Sequence, residues 1–257
     1  SSGLISAFYR MAIAAAVLVP YVYFTKQLRF PSWQWLLPTV LCGIIFASDI
    51  AVWNISIQES SATQATLLTN LSPVWVGIIS FLFLKNKPRP AFWVGSAVAM
   101  AGIVVFLGVQ TFREMSFDRA FILGVFSGFF YSLYILLSKK VLEKVEVLPF
   151  IAVSSLSSAV FLLFVNLFFR ESFFEFSCEA WLALAVQGLV CQLLAWVLIS
   201  YATKQMRATR VSLALLSQVV FAALFAWMFI HEKIALQHIV GGVLILLGIM
   251  ITFYEPK

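Results

Sequence analysis

The sequence predicts an all-α fold: a polytopic transmembrane helical bundle of about nine helices built from two inverted repeats. Three observations carry that expectation. Of the 257 residues, 62% are hydrophobic and only 11% charged, far from the balance of a soluble domain. Apolar stretches of about 20 residues recur along the whole chain, the length that crosses a hydrocarbon core of about 30 Å. The chain also matches itself at an offset of 146 residues.

The apolar pattern places spans α1 (3–25), α2 (33–58), α3 (61–84), α4 (91–109), α5 (120–138), α6 (148–169), α7 (180–203), α8 (208–230) and α9 (236–254). Pro31, Pro88, Pro90 and Pro149 punctuate short connections that leave no room for a soluble domain. The first stretch lacks a charged leader and a clear cleavage site and carries Arg10 inside it, so it reads as a span rather than a signal peptide. Cys42, Cys178 and Cys191 lack zinc or redox spacing, so neither a metal, a cofactor nor a disulfide framework is expected.

The net charge of +6 invites a nucleic-acid reading, but no basic run with interleaved aromatics stands outside the apolar segments, and no nucleic-acid partner is expected. The charge reads instead as topology. Twelve Lys and Arg lie at alternate connections or the C-terminus: Lys26, Arg29, Lys85, Lys87, Arg89, Lys139, Lys140, Lys144, Lys204, Arg207, Arg210 and Lys257. Five lie on the other side: Arg10, Arg113, Arg119, Arg170 and Lys233. The positive-inside rule therefore puts the first set and the C-terminus in the cytoplasm, and Ser1 outside. Reporter fusions at Lys87 and Arg207 are expected to read cytoplasmic and one near Arg113 external; opposite readings would defeat the inverted arrangement.

At the 146-residue offset, SATQATLLTNLSPVWVGIISFLFLKNK falls on RATRVSLALLSQVVFAALFAWMFIHEK without a gap. Thr63 meets Thr209 and Phe83 meets Phe229, while Gly95 meets Gly241 and Gly102 meets Gly248. Trp35 and Leu36 meet Trp181 and Leu182, extending the match to α2 and α7. The charge assignment runs α3 inward and α8 outward, which makes the repeats inverted, a construction recurrent in secondary transporters. The first repeat spans 1–109 and is incomplete; the second spans 120–257. Helix α5 lacks a mate, so the economical arrangement is five-plus-five with the first helix absent, by truncation or processing. A groove is expected where that helix would pack.

AFYRMAIAAAVLV, the α3 stretch with its embedded Pro73, and FIHEKIALQHIVGGVLILLGI with Glu232, Gly241, Gly242 and Gly248 resemble the drug/metabolite transporter superfamily, in its EamA-type ten-helix branch. The similarity covers essentially all residues, as the second to tenth helices of that family. Asn86 stands where the first repeat often has Glu, and Gln218 with Val219 replaces the proline expected in the second. The resemblance implies a multi-pass protein of the bacterial cytoplasmic membrane that transports a small organic metabolite or drug-like solute, often as efflux, without fixing the ligand.

Asp49 is the acidic residue deep in an apolar segment, and a carboxylate there reads as a substrate, proton or ion-pair site. At about 1.5 Å per residue, Arg10 lies roughly 10 Å and Asp49 roughly 15 Å deep, so a purely structural Arg10–Asp49 pair is the alternative. Trp53 and Ser56 share the Asp49 face, Trp53 either lining a cavity or anchoring at an interface. In α3, Thr63, Thr66, Asn70 and Pro73 form a stripe that either binds a polar ligand or hydrogen-bonds across helices. Pro73 frees a backbone carbonyl, which suits either a moving gate or a static kink. Ser127, Tyr131 and Tyr134 form an aromatic face of α5. Gln187 with Cys191, and Gln192 with Trp196, are spaced one turn apart in α7, while Ser217 and Gln218 belong to α8. These amides either recognise polar groups or join helices. The glycine pairs Gly95 with Gly102 in α4 and Gly241 with Gly248 in α9, each spaced by seven residues, are read as packing seams, and Glu232 beside Lys233 as a solvated pair or a gate.

Asp49, Trp53, Thr66, Asn70, Tyr131, Gln187 and Gln218 are expected to bind solute at a common cavity, with Arg10, Asp49 and Pro73 in structural or coupling roles. The implied partners are a small-molecule solute, membrane lipid and protons as the candidate coupling ion. An intramembrane enzyme is disfavoured, because His231 and His238 fall at a turn and HExxH is absent. A primary pump is disfavoured because GxxxxGK[ST] is absent. A non-transporting scaffold is the remaining alternative.

Overall fold

Every predicted span is helical in the computed structural model, which describes residues 3–27, 32–85, 87–108, 110, 117–174, 176–231 and 233–254. Arg29, Pro31, Asn86, Arg113, Glu232 and Lys257 lie outside the described residues. The observed spans are α1 Gly3–Phe24, α2 Trp33–Glu59, α3 Ala62–Phe83, α4 Pro90–Leu107, α5 Arg119–Leu142, α6 Val147–Phe168, α7 Cys178–Gln205, α8 Ala208–Ile230 and α9 Leu236–Phe253. Serines start two of them: Ser61 Oγ accepts from Gln64 N at 3.1 Å and Ser177 Oγ from Ala180 N at 3.2 Å, capping amides that the first turn leaves unpaired.

Two compact units form. One comprises Ser1–Asn54 with Leu133–Met206, the other Ile55–Ser132 with Arg207–Lys257. Each draws helices from both sequence repeats, and the members of each register-matched pair share a unit: α1 with α6 and most of α2 with α7, then α3 with α8 and α4 with α9.

In the first unit, α6 carries small polar residues at Ser154, Ser155, Ser157 and Ser158. They let α2 approach, with Ser158 Oγ donating to Gly43 O at 2.7 Å and Ser157 Oγ to Val40 O at 3.2 Å. Asn166 Nδ2 donates to Leu4 O at 3.2 Å, fixing the end of α6 beside the start of α1. Hydroxyl-to-carbonyl bonds of this kind join helices without an apolar driving force, which lipid does not supply. At one end of the unit Lys204 Nζ meets Glu146 Oε2 at 2.9 Å.

In the second unit, α4 and α9 pack through glycine. Gly95 faces Gly248 and Thr252, while a Cβ on Gly102 would lie 2.7 Å from Ile245 N and 2.8 Å from Gly241 O. The repeat pairs Gly95 with Gly241 and Gly102 with Gly248, so each glycine meets the mate of the other. That is the contact pattern of a two-fold interface, and it requires α4 and α9 to run antiparallel. Leu67, Leu68, Phe92, Ile103, Phe106, Leu213, Leu216 and Ile245 fill the core beside this seam.

The sequence reads α3 and α8 as unbroken; the structure interrupts both. Helix α3 divides into Ala62–Thr69 and Ser72–Phe83, and α8 into Ala208–Ala214 and Ser217–Ile230, breaks within one residue of each other in the repeat register. In α3 the cause is Pro73, at the start of the second segment, which supplies no N–H to the carbonyl of Thr69. Helix α8 has Val219 there instead. Ser217 Oγ donates to Ala214 O at 2.6 Å, while Gln218 N and Val219 N turn to Leu215 O and Leu216 O at 3.1 and 3.2 Å, a hydroxyl competing with the helical ladder. Two local devices thus produce one feature.

The α3 break docks on α5. A Cβ on Gly128 would lie 2.9 Å from Leu68 O and 3.1 Å from Thr69 O, and one on Gly124 would lie 2.7 Å from Leu68 Cδ1. Thr69 Oγ1 and Ser127 Oγ share a hydrogen bond of 2.8 Å. Thr69→Val is expected to lower stability by about 0.6 kcal/mol, the typical worth of an interhelical bond in a membrane protein. Denaturation in detergent beside Ser127→Ala and the double variant checks it: additive losses would mean that the hydroxyls are uncoupled.

Candidate functional site

Polar side chains collect at specific points of each unit. In the first, Asp49 is 6% exposed on α2, with Trp53 half-buried one turn on. Asn54 bonds its own helix, Nδ2 donating to Ile50 O at 2.8 Å. One turn before Asp49, Phe46 joins Tyr134 and Trp196 in a closed aromatic triangle with centroid separations of 4.8, 4.5 and 5.4 Å. This places an aromatic cluster one turn from a carboxylate along α2.

Arg10 lies on α1. A guanidinium within a span costs about 3 kcal/mol or more unless partnered. Among the described residues it makes no ion pair, with Asp49 or any other group; Nη2 donates to Gln192 Oε1 at 3.3 Å. One turn earlier Ser6 Oγ donates to Gln187 Oε1 at 3.1 Å. Residues 187 and 192 reach the same neighbouring helix because Gln187–Leu194 is a π-helical segment. In an α-helix five residues turn about 140° out of register, whereas the wider π turn returns them to nearly one face. The expected α-spacing of Gln187 with Cys191 and Gln192 with Trp196 is therefore corrected. Gly188 admits Ile13 here, its absent Cβ lying 2.7 Å from Ile13 Cβ.

In the second unit, Thr66 and Asn70 flank the last turn before the α3 break, Asn70 N bonding Thr66 O at 3.0 Å. Asn70 is 4% exposed, and its Nδ2, like Nε2 of Gln64, has no partner among the described residues. Pro73 is buried. Tyr131 is half-buried on α5, and Gln218 is exposed on α8 just beyond the break. Ser56 is fully buried and donates to Ala120 O at 2.8 Å, joining α2 to α5. Asp49, Trp53 and Gln187 thus belong to one unit, and Thr66, Asn70, Tyr131 and Gln218 to the other.

The sequence profile of the EamA-like transporter family matches residues 2–108 and 118–254. The chain belongs to the EamA-like transporter family. This EamA-like chain is similar to an uncharacterized transporter of Archaeoglobus fulgidus, 26% identical over 250 residues that cover 96% of this chain and 86% of the relative. It is also similar to the uncharacterized transporter YdfC of Bacillus subtilis, 25% identical over 252 residues that cover 97% and 81%. A crystal structure shares its fold with a TM-score of 0.80 at 18% identity, covering 98% of this chain and 88% of the other.

Composition, nine described helices long and apolar enough to span, and family together make the EamA-like chain a multi-pass membrane protein. Two features of its polar framework escape a reading by α-helical spacing. The π segment has no local composition signal. Phe46 is one apolar residue among many. Gly124 and Gly128 are legible, as a glycine pair four residues apart of the kind that lets membrane helices approach.

Proposed function

We propose that the EamA-like chain is a secondary transporter that moves a small amphipathic organic solute out of the cell by alternating access. The observation that carries this reading is the pair of breaks at Asn70–Leu71 and Leu215–Leu216, one in each repeat at matched register. Discontinuous helices in paired repeat positions are how secondary transporters place backbone and side-chain polar groups at the bilayer midplane and let one repeat move against the other. Asp49, Trp53, Thr66, Asn70, Tyr131, Gln187 and Gln218 are the side chains proposed to face solute, aromatic rings giving apolar contact and amides or hydroxyls fixing orientation. Asp49 either exchanges a proton or recognises a cationic group. Pro73 serves the gate.

The test is flux of a solute panel into proteoliposomes bearing the chain, with and without a proton gradient. Protein-dependent, saturable flux that responds to the gradient is the expected result. Absence of flux for every solute would return the chain to the scaffold alternative.

A further inference from the structure

We propose that Arg10, Gln187 and Gln192 form an anion subsite, so that the solute carries a carboxylate. The proposal rests on the transport reading and names the substrate class for part of the same site. Its basis is the balance of donors and acceptors in one array of the first unit. Arginine offers only donors, so Gln192 must present its oxygen to Arg10, as it does at 3.3 Å. Gln187 likewise spends its oxygen on the Ser6 hydroxyl at 3.1 Å. Each side-chain oxygen thus faces a donor inside the array, leaving the amide N–H groups to point elsewhere. Among the described residues Arg10 Nε has no partner, and the hydrogen bonds formed by the two amides use only their oxygens. What remains is a cluster of donors around one positive charge, within a span.

Such a cluster matches a group that accepts several hydrogen bonds and carries the opposite charge, which a planar carboxylate does. A neutral or cationic group would leave the guanidinium uncompensated. The π-helical segment is what assembles the array: it turns Gln187 and Gln192 toward α1 together, and Gly188 lets Ile13 close in between.

The test compares thermal stabilisation of the purified full chain by matched probes, indole-3-acetate against indole-3-acetamide and 3-phenylpropionate against its amide. The acids are expected to bind about tenfold or more tighter than the amides, with Arg10→Gln removing the difference and Arg10→Lys weakening it, since a point ammonium loses the planar fork. Gln192→Glu guards against loss of fold: it supplies Arg10 with an internal carboxylate, so it should raise stability while abolishing stabilisation by acids. Equal binding of acid and amide, or acid binding that survives Arg10→Gln, would overturn the proposal. So would a wild-type chain that no acid stabilises. A chain that binds acids but moves no solute in proteoliposomes would instead refute the transport reading and leave the subsite standing.

Discussion

Gly241→Ala is expected to be among the most damaging single-methyl additions in the chain, costing about 3 kcal/mol or abolishing recovery of folded protein. A Cβ at this position would lie 2.5 Å from Phe106 N and 2.6 Å from both Phe106 Cα and Cβ. Two of those atoms are backbone, so relief requires moving α4 itself rather than rotating a side chain. The adjacent residue supplies the control. A Cβ on Gly242 would sit 3.6 Å from the methyls of Val220 and 3.8 Å from the Phe106 ring, ordinary contact. Gly242→Ala should therefore be neutral or stabilise by roughly 0.5 kcal/mol through the entropy that glycine costs in a helix. Thermal melts of both variants in one detergent decide the matter. Equal melts would mean that α4 and α9 are not held at this separation.

Asp49→Asn is expected to lower proton-driven flux on the order of tenfold or more, because it keeps size and polarity while removing the ability to ionise. Asp49 is 6% exposed within a span, a position where a carboxylate is retained at a cost of about 3 kcal/mol. Flux with and without a proton gradient, measured alongside solute binding, separates its roles. Binding kept with gradient dependence lost assigns Asp49 to coupling, whereas binding lost assigns it to the solute's charge. Unchanged flux with lower stability would assign it a structural role and refute both.

The span pattern was legible because membrane helices declare themselves through length and apolarity, and the observed ends fall within a few residues of those expected. Pro73 announced a disturbance in α3. The matching break in α8 was not legible, because the hydroxyl of Ser217 produces it and serines occupy unbroken helices just as readily. Where the helix stays α, spacing by three and four residues describes its faces, and on α5 Ser127 meets Thr69 of α3. That spacing does not apply in α7, where the π segment rotates everything after Gln187. A structural pairing of Arg10 with Asp49 was the alternative that charge suggested; the contact of Arg10 with Gln192 depends on that rotation.

The glycine seam bears on how the chain holds itself together. An interface in which each position meets the counterpart of another is what two identical subunits make about a dyad. Here both sides lie on one polypeptide, joined through α5 to α8, so tethering supplies by effective concentration what a free pair would have to supply by affinity. The α4–α9 contact thus has the pairing of a two-fold subunit interface within a single chain, and the glycines that set its separation are alike at the matched positions, whereas Ala99 is matched by Ile245.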